Sequence, residues 1–176
     1  MIELLEHTSS SYGPRTWHNA AQGVTLAVAV DFSTAGEKLT TKASAKNGII
    51  HMDAKGGDDA SIEAARQLYK MLRDTDCRVV NIAGNGIYTF AKNGYDQGLV
   101  NQIVWNILSI VHLHYPLDKV VSGGQTGADI AGLIVAEKLG IPSSGMWPKG
   151  YKMRFENGVD VCHTKEQVQK ILQQYL

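Results

Sequence analysis

The sequence predicts a doubly wound α/β domain, with a mainly parallel sheet of about five or more strands and helices on both faces. Short, nearly continuous apolar runs have the length and valine content of strands buried on both sides. These runs alternate with amphipathic segments of helical length, and several of them end in glycine-bearing turns.

The first such run is VTLAVAVDF, residues 24–32, followed by a helix over 34–45 that contains Lys38 and stops at Asn47 and Gly48. A second strand is expected over 48–53, then a loop over 55–61. Ser61 at the end of that loop is placed to cap a helix reaching Asp74, whose apolar stripe is Ile62, Ala65, Leu68, Tyr69 and Leu72. RVVNIA, 78–83, reads as a buried strand, and a long helix runs from about 97 to 114 with Leu99, Ile103, Ile107 and Val111 at i, i+4 spacing. KVVSGG, 119–124, forms strand and turn, and 127–139 the next helix, with Gly140 as its left-handed cap. A last helix starts near Thr164. Nothing marks a boundary or a repeat, so residues 1–176 form one domain in this reading.

Composition narrows the function classes. The 17 basic and 17 acidic residues cancel, and no basic run is interleaved with aromatics, so an extended nucleic-acid surface is not expected. Cys77 and Cys162 lack metal-type spacing, and the histidines are scattered; no metal site or cofactor is implied. No stretch approaches a membrane span, and the N-terminal segment does not read as a secretion signal. A cytoplasmic protein with reduced thiols and no membrane partner is the expectation.

Three loops at predicted strand ends carry the chemistry. In SGGQTGAD, a buried strand runs into Gly123 and Gly124 and a helix starts within three residues, an arrangement that exposes helix N-terminal amides to an anion. Gln125 and Gly127 belong to the same loop, and Ser122 and Thr126 add hydroxyl donors. Asp129 has two readings: a helix-stabilising acid in the first turn, or an acceptor for a ribose hydroxyl or a water. The loop is not GxxxxGK[ST], which argues against nucleoside triphosphate hydrolysis. A second loop places Gly84, Asn85, Gly86 and Tyr88 after the 78–83 strand, with Asn85 and Tyr88 as candidates for base or sugar contact and simple packing as the rival role of Tyr88. A third places Ser33, Thr34 and Gly36 after the first strand. Ligands of open α/β sheets bind outside the carboxyl ends of strands, where three such loops can converge on one crevice.

The stretch VVSGGQTGADIAGLIVAEKLGIPSSGMWPKG resembles the molybdenum-carrier family, a branch of the SLOG superfamily of Rossmann-like nucleotide-binding proteins, whose hallmark is SGGQTGxDxAAL followed by GIP and PKG. RTWHN and RVVNIAG are similar to two further segments of that family, in circularly permuted order, and related combinations occur in bacteriophage members. The resemblance implies a Rossmann-like fold, phosphate on the glycine loops, a homodimer or higher homo-oligomer, and, for a phage protein, residence in the host cytoplasm. It supports Arg15 as a phosphate ligand, with a surface salt bridge as the rival role; read from the residues, Lys149 is a phosphate candidate against a solvated loop lysine, and Trp17 a base-stacking candidate against core packing. The hydrolase branch uses PGGxGTxxE; DFSTAGEKLT, in the corresponding place here, lacks the double glycine and has Glu37 directly after Gly36.

The leading expectation is therefore capture of a nucleotide-derived small molecule, sequestering or sensing a signal such as a cyclic ADP-ribose isomer. The alternative is an N-glycosidase or phosphoribohydrolase in which Glu37 and Asp129 are catalytic.

Overall fold

A computed structural model describes residues 2–176. The main sheet has six strands, all parallel, in the order β1-β6-β5-β4-β2-β3. These are β1 (Ile2–Glu6), β2 (Val24–Ala29), β3 (Ile49–Asp53), β4 (Val79–Gly84), β5 (Lys119–Ser122) and β6 (Ser143–Trp147). The helices are α1 (Tyr12–Ala20), α2 (Ala35–Ser44), α3 (Gly57–Asp74), α4 (Ile87–Ala91), α5 (Gln97–His114), α6 (Ala128–Lys138) and α7 (Lys165–Gln173). A short antiparallel hairpin, β7 (Met153–Arg154) and β8 (Asp160–Val161), follows the main sheet.

Alternation along β2 separates the two helical layers, because successive side chains leave a strand on opposite faces. Val24, Leu26 and Val28 join the large core with Leu68 and Leu72 of α3, Val104 and Ile107 of α5, and Val135 of α6. Thr25 points the other way, accepting from Ser44 of α2 at 2.8 Å and from Asn81 of β4 at 3.0 Å. Helix α1 packs on α2, completing that second layer. This is the doubly wound, Rossmann-like arrangement expected from the sequence. All six residues of β2 are buried, which is why its sequence is apolar without alternation. Helix α6 is likewise buried on nearly every side, between the sheet and α5 on one flank and α7 on the other. No helix among the described residues is long and apolar enough to cross a membrane.

Several elements differ from expectation. The strand expected to reach residue 32 ends at Ala29, where the chain turns toward α2. Ser61 is not a cap: α3 already begins at Gly57, with Asp58 and Asp59 in its first turn, and the Ser61 hydroxyl donates to the Gly57 carbonyl one turn back. Along α5 the buried stripe is Val100, Val104, Ile107, Leu108 and Val111, whereas Leu99 is exposed. The start of the chain contributes β1, paired to β6, and α1, neither of which the residue pattern announced.

The topology places one switch point. From β2 the chain moves outward through α2 to β3, and from β4 it moves the opposite way through α5 to β5. The connections diverge between the carboxyl ends of β2 and β4, leaving a crevice there.

Candidate functional site

That crevice is a cleft of about 400 Å³. Its floor comes from Asn81, Ala83 and Gly84 of β4, where small side chains leave room between sheet and helix. Gly36 and Glu37 of α2 form one wall, and Tyr12 and Arg15 of α1 another. Gly86 and Tyr88 from the start of α4, and Gly123, Gln125 and Asp129 from the β5–α6 turn, complete it. Arg154 reaches the cleft from the hairpin. The three strand-end loops thus converge as the sequence suggested, joined by a helix and a hairpin it did not single out.

The β5–α6 turn is not an open anion cradle. The Gln125 amide donates to Asp129 Oδ2 at 3.2 Å, the Thr126 amide to Gln125 Oε1 at 3.0 Å, and the Gly127 amide to Gln97 Oε1 at 2.7 Å. The Gly124 amide faces Ser122 Oγ at 3.5 Å, and the Ala128 amide donates to the Asn85 carbonyl. The hydroxyls are equally committed. Fully buried Ser122 donates to the Asp129 carbonyl, and Thr126 to the Arg154 carbonyl. The roles expected for Ser122, Gly124, Thr126 and Gly127 as phosphate donors are therefore corrected: Asp129 and Gln97 take amides of the turn, and the Asn85 and Gln125 carbonyls take those of Ala128 and Ile130 at the helix start. Glycine is needed for two other reasons. A Cβ on Gly123 would lie 1.3 Å from Arg15 Nη1, and Gly124 has φ +73° with the Trp147 ring packed against it.

Arg15 and Asp129 form the charged centre of the cleft. Nη1 of Arg15 donates to Asp129 Oδ2 at 3.1 Å, with both side chains less than a tenth exposed. Burial pushes the Asp129 carboxyl upward, while the guanidinium and the Gln125 amide pull it back. Glu37 is 3% exposed, and burial together with the Asp129 charge raises its carboxyl to about 8. At neutral pH it is a neutral acid that both donates and accepts. Burial thus raises both carboxyl groups, and of the two Asp129 is the one paired with a cation. Two buried polar atoms here have no partner, Arg15 Nε and Glu37 Oε2. Each such group left unpaired costs about 1–3 kcal/mol.

Asn85 is buried and is corrected from ligand contact to scaffold. Its Oδ1 accepts from the Val30 and Asp31 amides at 2.9 Å each, and its Nδ2 donates to the Asp31 carbonyl at 3.0 Å and faces Glu37 Oε1 at 3.5 Å. It ties the β2–α2 turn to β4 and helps position Glu37. Thr34 caps α2, accepting from the Glu37 amide, and Ser33 is exposed and bonded to Asp31. Lys149 is exposed outside the cleft, as is Trp17, on the outer face of α1. Tyr88 does line the cleft, with Lys92 Nζ 2.6 Å from its hydroxyl; that ammonium lowers the phenol.

Sequence reasoning missed Tyr12 and Arg154. Tyr12 sits one turn before Arg15 on α1 and donates to Asp160 Oδ1 at 2.9 Å; burial and that bond raise its phenol to about 12. Arg154 binds Asp160 through Nε at 2.9 Å and Nη2 at 3.1 Å. Its amide donates to Gln125 Oε1, pinning the hairpin to the β5–α6 turn. Recognising 12–20 as a helix would have exposed Tyr12; Arg154 lies within the PKGYKMRFENG segment but carries no spacing signal.

Fold and cleft together define a parallel α/β protein with a charge-paired crevice at its switch point. No family model, curated protein or solved structure matches the chain.

Proposed function

We propose that the cleft binds a nucleotide-derived small molecule. The observation that carries this is the pair of buried, unpartnered polar atoms, Arg15 Nε and Glu37 Oε2, in a cleft of about 400 Å³ at the switch point of a parallel sheet. The volume lies within the range of small-molecule sites. Tyr12 and Tyr88 line the cleft with rings that already carry Arg15, Lys152 and Lys92, and Arg154 supplies a cation for an acidic group. Sequestering or sensing a nucleotide signal such as a cyclic ADP-ribose isomer belongs to this proposal, as does a homodimer or higher homo-oligomer in a cytoplasmic setting. The test is incubation with AMP, cyclic ADP-ribose isomers and cyclic oligonucleotides, followed by denaturation and chromatography of the supernatant. Intact ligand carried with the protein supports capture; no retained ligand and no change in melting temperature sinks it.

The carboxyl pair favours a second reading, N-glycosidic hydrolysis. Neutral Glu37 would hand its proton to the departing base nitrogen as the C–N bond breaks, and Asp129, paired with Arg15, would accept a proton from the water that bonds to the ribosyl carbon. In the same incubation, free base and ribose phosphate at multiple turnovers support hydrolysis.

A further inference from the structure

We propose that the ligand enters with an uncharged, hydroxyl-bearing ribosyl diol foremost, against Glu37, Asp129 and Arg15, and leaves its anionic group at the mouth beside Arg154. This rests on the nucleotide reading of the cleft and deepens it, reversing the orientation a glycine-loop phosphate site implies.

Three observations carry the orientation. The amides from residue 124 to 128, which an inner phosphate would need, are each already matched to an acceptor of the chain. The inner end holds one cation and one anion, Arg15 and Asp129, already paired at 3.1 Å, so an entering phosphate would face a buried carboxylate with no uncompensated positive charge. The atoms still unpartnered there are an N–H donor, Arg15 Nε, and a carboxyl oxygen, Glu37 Oε2. Both side chains are more than nine-tenths buried and line the cleft. A vicinal diol, with a donor and acceptor on each oxygen, answers such a set, and unlike a phosphate it brings no negative charge against the Asp129 carboxylate.

The mouth has the opposite character. Lys152 and Arg154 share one anion, Asp160, leaving an excess positive charge. Arg154 spends Nε and one Nη2 proton on Asp160, so three of its five N–H donors remain, on a side chain 45% exposed. Its planar fork suits a phosphate oxygen pair.

Calorimetric titration of the full chain with adenosine, AMP, 2′,3′-dideoxyadenosine 5′-monophosphate, D-ribose 5-phosphate and inorganic phosphate tests the orientation. Removing the diol should weaken AMP about 10- to 100-fold, the loss expected for hydrogen bonds to charged or buried groups. Inorganic phosphate should not displace adenosine. Arg154→Gln, at an exposed side chain, should weaken AMP and leave adenosine unchanged. If the dideoxy compound binds as well as AMP, or phosphate displaces adenosine, or Arg154→Gln weakens adenosine equally, the orientation is overturned while nucleotide binding stands. If none of the four ribosyl compounds binds, both are overturned.

Discussion

Replacing Asp129 by asparagine removes the only carboxylate bonded to Arg15 among the described residues, and leaves the guanidinium buried with its charge uncompensated. The pair is less than a tenth exposed on either side, so solvent screening does little to soften the loss. Breaking one partner of a buried pair costs about 3–5 kcal/mol. For a chain of this size, each kcal/mol lowers the melting temperature by roughly 2–4 °C, so a fall of roughly 6 to 20 °C is expected. Unfolding in urea, followed by circular dichroism, gives the free energy directly, and Arg15→Met in the same series gives the other arm. The double variant should be at least about 1.5 kcal/mol more stable than the sum of the single losses predicts, because neither partner is then stranded. A loss below about 1 kcal/mol for Asp129→Asn, or strict additivity, would refute the reasoning, since that is what an exposed pair gives.

Three further outcomes follow from the geometry. Glu37 is protonated up to about 8 in the folded chain against an ordinary 4.5, so the folded state holds the extra proton between those values. Its contribution to stability is complete below 4.5 and falls as pH rises toward 8, by at most about 1.4 kcal/mol per unit; Glu37→Gln should flatten that slope, and parallel wild-type and variant profiles would contradict it. Asp129 and Asp31 face Glu37, and Arg15 sits behind Asp129, so the difference between wild type and variant isolates this group from theirs. Gly123→Ala places a methyl 1.3 Å from Arg15 Nη1 and must push the guanidinium off Asp129; a loss of about 1–3 kcal/mol in urea unfolding is expected, and none would show that Arg15 does not occupy that position. Asn85→Ala strands the Val30 and Asp31 amides and should cost roughly 2 to 4 kcal/mol, with faster amide exchange confined first to residues 30–37.

The parts of the fold legible in the sequence are those buried symmetrically or periodically. The apolar run of β2, the limits of α5, and α6 with its cap at Gly140, φ +71°, follow from burial on all sides and from cap chemistry. β1 escaped notice because it is an edge strand with only Leu4 buried, too short to show alternation. α1 was hidden by Gly13 and Pro14, which look like loop residues; a proline in the first turn needs no backbone donor and so does not break the helix. In the site, local sequence marked the three glycine turns correctly as neighbours of one crevice. It could not show that Gln97, 30 residues away from Gly127 along the chain, and Asp129 would occupy the turn's amides, since that depends on long-range packing of α5 against α6. Nor could it show that Asn85 would spend both ends of its amide on the β2–α2 turn.

Occlusion of the cleft gives the most direct test. A Cβ built on Gly36 meets nothing within 4 Å, its φ is not positive, and the residue lines the cleft, so Gly36→Trp can fill the space with little strain on the chain. Titration calorimetry of wild type and Gly36→Trp against AMP, cyclic ADP-ribose isomers and cyclic oligonucleotides should give saturable binding of at least one nucleotide by the wild type. The variant, melting at or above the wild-type temperature, should bind none. Heat from no nucleotide, or equal affinity in the filled variant, would contradict a nucleotide site in this cleft.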